Sequence, residues 1–178
     1  PILETARIVL REFVPEDGPA LARVLSDPET MRYYPAPLDG DEVTAWIDRN
    51  LRRYQNDGHG LWAMILKKSK ELVGDCGITM QEVEGVSYRE IGYHVRRDLW
   101  GQELAIEAAL ACRDYGFAQL HADCLISIIR PENLPSRRVA EKNGMALWKT
   151  CEYRGLPHCI YLIRNPNSTA QHFPPLAL

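Results

Sequence analysis

Hydrophobic positions along the chain change their period several times, and each change marks an element. Residues 7–13 alternate, with Ile8 and Leu10 set against Val9 and Phe13, which predicts a first strand. Pro15-Glu16-Asp17 opens a helix whose apolar face is Leu21, Val24 and Leu25, with Asp17 as its cap. The segment MRYYPAPLDG reads as a loop. Asp39 and Glu42 have capping-box spacing, and Val43, Trp46, Ile47, Leu51 and Tyr54 then share one helical face that ends at Gly58. Residues 61–67 and 71–80 read as a hairpin across Lys-Ser-Lys, and 89–95 as the next strand. A helix follows over about 101–117, its first turn in WGQELA, burying Leu104, Ala108, Ala111 and Tyr115. Residues 122–129 form an isoleucine-rich strand. Pro131-Glu132-Asn133 starts a short helix that stops at Asn143-Gly144. Residues 146–153 and 158–164 read as a closing hairpin across Arg154-Gly155.

The order is strand, two helices, a meander of strands, helix, strand, helix, two strands. It predicts an α+β (mixed α/β) fold in which antiparallel hairpins surround one strand–helix–strand crossover. With 178 residues and no internal repeat, one domain is expected, with a core over about 5–165 and a tail over 166–178. The tail carries proline and apolar residues and suits packing on the surface or on a partner.

A net charge of -3 gives no field that would draw the whole molecule to nucleic acid or an anionic membrane. No run is long and apolar enough to span a bilayer, and the N-terminus lacks a signal-peptide pattern. Five cysteines without a C-x-x-C pair favour a reducing, cytoplasmic setting over a disulfide framework. The histidines show no metal-ligand spacing, so no metal is expected. The chemistry concentrates in residues 89–117, where a strand delivers Arg96, Arg97 and a helix N-terminus to one place. Unpaired helical N–H groups beside two guanidiniums make a candidate phosphate or pyrophosphate site.

Four segments, TARIVLREFVPEDGPAL with SDPETMRYY, EIGYHV, WGQELAIEA and RPENLPSRRVAEKNGM, occur in this order. Together they resemble the GCN5-related N-acetyltransferases (GNAT), in particular the ribosomal-protein N-acetyltransferase-like branch. The resemblance covers roughly 5–165. It implies a splayed mixed sheet of about seven strands with about four helices, and acetyl-CoA as donor. The family's pyrophosphate loop has the pattern Gln/Arg-x-x-Gly-x-Gly/Ala. Gly101 supplies the first glycine, while Glu103 stands at the second and Asp98 at the leading position. Gly101, Gln102, Glu103, Leu104 and Ala105 would offer backbone amides, with Arg96 and Arg97 contacting phosphates. A carboxylate at Glu103 repels a pyrophosphate unless it points away.

Amine acetylation needs a base, oxyanion stabilisation and a leaving thiolate. Glu90 is the candidate base, and a structural hydrogen-bonding role in the sheet is the alternative. Strand alternation sets Glu90, Gly92 and His94 on one face. The resemblance implies that His94 and Val95 run beside the pantetheine arm, with the Val95 N–H polarising the thioester carbonyl. Asn133 and Ser136 match the family's Asn-x-x-Ser, binding pantetheine and relaying a proton to the sulfur. They equally suit a helix cap and its first turn. Arg137 and Arg138 fit either the adenosine 3′-phosphate or a solvated face. Tyr33, Tyr34, Tyr153 and His158 are expected acceptor-wall residues, while Trp46 reads as core. Two functions follow. One is an acetyl-CoA-dependent transferase to a primary amine, either a protein N-terminus or a small amine, working as a monomer or homodimer. The other is a catalytically weak acyl-CoA-binding or interaction module of the same fold.

Overall fold

The structure is a computed structural model that describes residues 1–170. The apolar end of the tail, from 171 onward, lies outside the described residues, and with it the expectation that it packs on a partner. The elements are β1 (Leu3–Glu4), β2 (Ile8–Arg11), α1 (Gly18–Leu25), α2 (Gly40–Asp57), β3 (Leu61–Leu66), β4 (Leu72–Val83) and β5 (Val86–Val95). They continue with α3 (Leu104–Ala118), β6 (Cys124–Ile129), α4 (Leu134–Lys142), β7 (Ala146–Tyr153) and β8 (Leu156–Arg164). The strands form one open sheet in the order β1-β2-β3-β4-β5-β6-β8-β7. Neighbours are antiparallel throughout, except that β5 runs parallel to β6 through the α3 crossover. The fold is the expected mixed one, with an eighth strand in the two-residue β1, which is too short to show a period.

β3 explains how the layers assemble. Its sequence LWAMIL is apolar without alternation, as a strand covered on both faces should be. Leu61 and Ala63 face Leu21, Leu25, Val43 and Ile47 of α1 and α2. Trp62 and Met64 face the other side, where α3 packs Leu104, Ala108, Ala109 and Cys112. The buried stripe of α3 thus includes Ala109 and Cys112, and not the expected Ala111 and Tyr115, which are only half-buried. All five cysteines are free.

The local signals hold with two corrections. The Asp39–Glu42 capping box forms, and Gly58 ends α2 in the left-handed region. Asp17, expected to cap α1, accepts the Val14 N–H and both guanidinium nitrogens of Arg11 instead. β4 and β5 are longer than their apolar cores suggest. They continue through polar residues to a two-residue turn, Glu84-Gly85, in which both φ angles are positive (48° and 80°). That geometry matches the twist of a tight hairpin.

Where β4 meets the end of β5 the backbones touch. A Cβ on Gly74 would lie 2.0 Å from the carbonyl oxygen of His94, which no side-chain rearrangement relieves. Gly74→Ala is therefore expected to cost about 3 kcal/mol or more in denaturant unfolding. Gly18→Ala is the control, because Gly18 is helical with open space around it and should be neutral or slightly stabilising. Equal effects of the two would contradict this packing.

Candidate active site

The sheet opens between β5 and β6. The two strands share one parallel bridge, Glu90 opposite Ile126. Arg96 N–H donates to Val73 O on β4, so even-numbered residues of β5 bond toward β4 and odd-numbered ones toward β6. The next rung would join Ile128 N–H to Ile91 C=O. It is missing, and two side chains occupy its ends. Ser127 Oγ–H donates to Ile91 O at 2.8 Å, and Glu90 Oε2 accepts Ile128 N–H at 3.2 Å. Beyond this point the amide of Val95 faces the gap, while its carbonyl accepts Trp100 Nε1–H at 2.8 Å. Glu90 thus holds the sheet with one oxygen and leaves the other, Oε1, without a hydrogen bond among the described residues. Gly92, on the same face, leaves Oε1 uncrowded. Burial pushes the Glu90 carboxyl up to about 7, held back by the Ile128 N–H and by Arg154, Arg53 and His94.

His94 is the middle of a chain that sequence reasoning did not foresee. Its Nδ1 lies 2.7 Å from Asp75 Oδ1, and its Nε2 2.6 Å from the Tyr34 hydroxyl. A carboxylate can only accept, so the neutral ring carries its hydrogen on Nδ1 and accepts from Tyr34 on Nε2. Asp75, with 0% exposure, takes a second bond from Trp46 Nε1 at 3.0 Å. Trp46, expected in the core, therefore braces this chain and lines the cavity above it. The signal was present: a fully buried aspartate inside the apolar run LVGDCGITM is rare without a partner. Ser127 within CLISII is a similar case.

The cavity of about 420 Å³ brings Glu90 and His94 together with Asn133 and Ser136 of α4. Tyr33, Tyr34, Tyr153 and His158 form its walls as expected. Asn133 is the α4 cap, its Oδ1 accepting the Ser136 N–H, while the Ser136 hydroxyl makes no hydrogen bond among the described residues. No tyrosine lies on α4, but β5 supplies one. The Tyr93 hydroxyl donates to the Ser136 carbonyl at 2.8 Å. Tyr153 donates to Gln81 and stacks edge-on with His158.

Val95, Arg96, Arg97 and residues 101–105 do not line this cavity; they lie where β5 leaves the sheet. The helix starts at Leu104, not at about Gly101, and a turn with positive φ at Gly101 (80°) and Glu103 (61°) precedes it. Glu103 therefore adopts the backbone conformation that the family's glycine would supply, at a strain of about 1 kcal/mol. Its carboxylate turns to Lys142 Nζ at 2.5 Å. Among the described residues no side chain caps α3, so its first amides stay open, including that of Leu104, whose side chain is core. Ala105 is half-buried and Gln102 exposed. The phosphate role expected of the two arginines does not follow from their geometry. Arg96 is paired with Asp98 at 2.6 Å and Glu71 at 3.6 Å, and Arg97 with Asp27 at 3.2 Å. Arg137 is likewise spent, donating to Pro131 O and the Tyr161 hydroxyl.

The Asp75 anchor has a measurable consequence. Asp75→Ala strands buried donors on His94 and Trp46 and is expected to cost about 2–4 kcal/mol in denaturant unfolding. Tyr34→Phe removes only the exposed end of the chain and should cost under about 1 kcal/mol. Similar small losses in both would mean that the chain carries no structural weight.

Known proteins resemble this chain in sequence and in fold. The family model described as an acetyltransferase (GNAT) domain matches residues 7–146. The protein YkkB of Bacillus subtilis is 38% identical over 160 residues, covering 89% of this chain and 93% of YkkB. The N-acetyltransferase p20 of Bacillus licheniformis is 32% identical, covering 75% of this chain and 76% of p20. Among solved structures, a GNAT-family acetyltransferase from Bacillus anthracis superposes with a TM-score of 0.78 at 26% identity, covering 92% of this chain and 98% of that one. A sheet split beside a glutamate, an open helix terminus after it and these relatives lead to one conclusion: the chain belongs to the GCN5-related N-acetyltransferase family of enzymes.

Proposed function

We propose that the protein transfers an acetyl group directly from acetyl-CoA to a primary amine, a peptide N-terminus or a small molecule, seated in the cavity beside Glu90. The observation that carries this reading is the divided use of the Glu90 carboxylate. Oε2 is held by the Ile128 N–H, so the group is oriented, and Oε1 remains available. With its pKa pushed up to about 7, the group is a base matched to neutral pH.

Glu90 takes a proton from the incoming ammonium, directly or through water. The freed nitrogen attacks the thioester carbonyl, forming the C–N bond. The Val95 amide, facing the gap, donates to the oxyanion. The C–S bond then breaks, the attacking nitrogen gives up its second proton, and the unengaged Ser136 hydroxyl relays that proton to the leaving sulfur, ending protonated as it began. The family's donor fits the residues at the other end. The positive-φ turn and the uncapped amides of α3 suit a pyrophosphate. Lys142 draws the Glu103 carboxylate aside, and Arg96 neutralises that of Asp98. Those two carboxylates were the grounds for a turnover-poor binding module, and their pairing favours a working donor site.

Glu90→Gln keeps an acceptor for the Ile128 N–H and removes the base. Its kcat/KM is expected to fall roughly 10²-fold or more, with the acetyl-CoA dissociation constant unchanged in calorimetry. The wild-type rate should rise with pH through a limb near 7 that the variant lacks. Stability gives an independent sign. The folded carboxyl keeps its proton to about 7, against 4.5 for the free group, so the folded state loses stability as pH rises between the two. Glu90→Gln should accordingly raise Tm at pH 8 and leave it unchanged at pH 4. Full activity in the variant would exclude Glu90 as the base.

A further inference from the structure

Four arginines line the acceptor cavity: Arg49 and Arg53, one turn apart on α2, Arg130 after β6, and Arg154 in the β7–β8 turn. Among the described residues the cavity holds two carboxylates against them, Glu42 and Glu90. Glu42 is committed to the α2 capping box through the Asp39 N–H, and Arg130 to Glu132 at 3.6 Å. Among the described residues Arg49, Arg53 and Arg154 have no carboxylate within ion-pair distance. Their guanidiniums are nevertheless held in place. Arg49 lies over the Trp46 ring at 5.8 Å, Arg154 over Tyr153 at 5.1 Å, and Arg53 donates to Asn50 Oδ1 at 3.2 Å. Burial lowers the Arg53 pKa, and Arg49 and Arg154 lower it further against the opposing pull of Glu90 and Asp57, so Arg53 sits in a half-buried place that it shares with two other cations. Three fixed guanidiniums facing one carboxylate, which must itself cycle through the protonated state, leave the cavity short of negative charge.

We infer that the acceptor is a small amine that brings its own anion: its nitrogen lies at Glu90, and a carboxylate or phosphate lies among Arg49, Arg53 and Arg154. Guanidiniums recognise both anions through the same planar fork. The cavity volume is that of a small-molecule site. Polycationic amines meet repulsion from the same wall. This inference rests on the transferase reading above and narrows it.

The test is a matched panel with the full chain and acetyl-CoA, read as thiol release: L-phenylalanine against L-phenylalaninamide, O-phosphoethanolamine against ethanolamine, and spermidine. In at least one pair the anionic member is expected to have a kcat/KM about tenfold higher or more, and the pair that responds tells carboxylate from phosphate. The double variant Arg53→Gln, Arg154→Gln should bring that ratio close to one while the KM for acetyl-CoA stays unchanged. Because both arginines also act on Glu90, the ratio and not the absolute rate is the readout. Neutral amines or spermidine used as well as the anionic ones, or a ratio that survives the double variant, overturns the inference and leaves the transferase reading intact. If no amine in the panel is turned over, that reading is in question. Calorimetric titration of the CoA-saturated protein with N-acetyl-L-phenylalanine and with its amide then still decides the anion preference: tighter binding of the acid supports it, and equal binding refutes it.

Discussion

One absent rung of the β5–β6 ladder organises this molecule. A parallel sheet that continued past Glu90 and Ile126 would be an unbroken wall with nowhere for an extended ligand to enter. Leaving both ends of a rung unpaired in the interior would cost several kcal/mol. Ser127 and Glu90 meet those two ends with their own side chains, so the strands part while the buried backbone stays satisfied. The opening then exposes the next backbone groups of β5, and a carboxylate remains at its apex. The candidate base is therefore also the wedge that makes its own site. The structural and catalytic readings of Glu90 are two uses of two oxygens.

The rest of the architecture serves that opening. β3 and β4, buried on both faces, hold β5 rigid from one side. The side-chainless Gly74 lets the end of β5 lie against β4. Asp75, one residue further, reaches through His94 to Tyr34 and so ties the loop between α1 and α2 to the sheet. α3 then leaves the far end of β5 with its first amides uncapped. α4 enters from the β6 side with Asn133 and Ser136 in its first turn. The open terminus of α3 and the cavity groups Glu90, Asn133 and Ser136 thus come from elements joined to the split strand pair, although they are far apart in sequence.

Local chemistry in the chain announces much of this. The capping box of α2, the Gly58 and Gly144 stops and the Arg154-Gly155 turn are set by neighbouring residues, and they are legible for that reason. That Tyr33 and Tyr34 line the cavity was also legible, because aromatic residues in a proline-bearing loop have few other places to be. What was illegible depends on contacts across the sheet. Nothing near Glu103 in sequence reveals that its carboxylate is drawn to Lys142, or that Arg96 and Arg97 pair with Asp98, Glu71 and Asp27. The extension of β4 and β5 through polar residues is likewise a pairing effect, since each strand is held by the other and not by its own pattern. Asp75 lies between these cases: its burial was inferable from LVGDCGITM, but its partner His94 was not.

The central claim is that the gap opened by the missing rung, continued by the amides ahead of α3, is where the donor lies. Assigned backbone amide spectra of the full chain, recorded as CoA is added, test it most directly. The expected result is saturable shifts at Val95, at Leu104 and Ala105, and at Ser136, with Val9 and Leu10 on β2 unmoved. Shifts confined to other surfaces, or none at saturating CoA, would contradict the account.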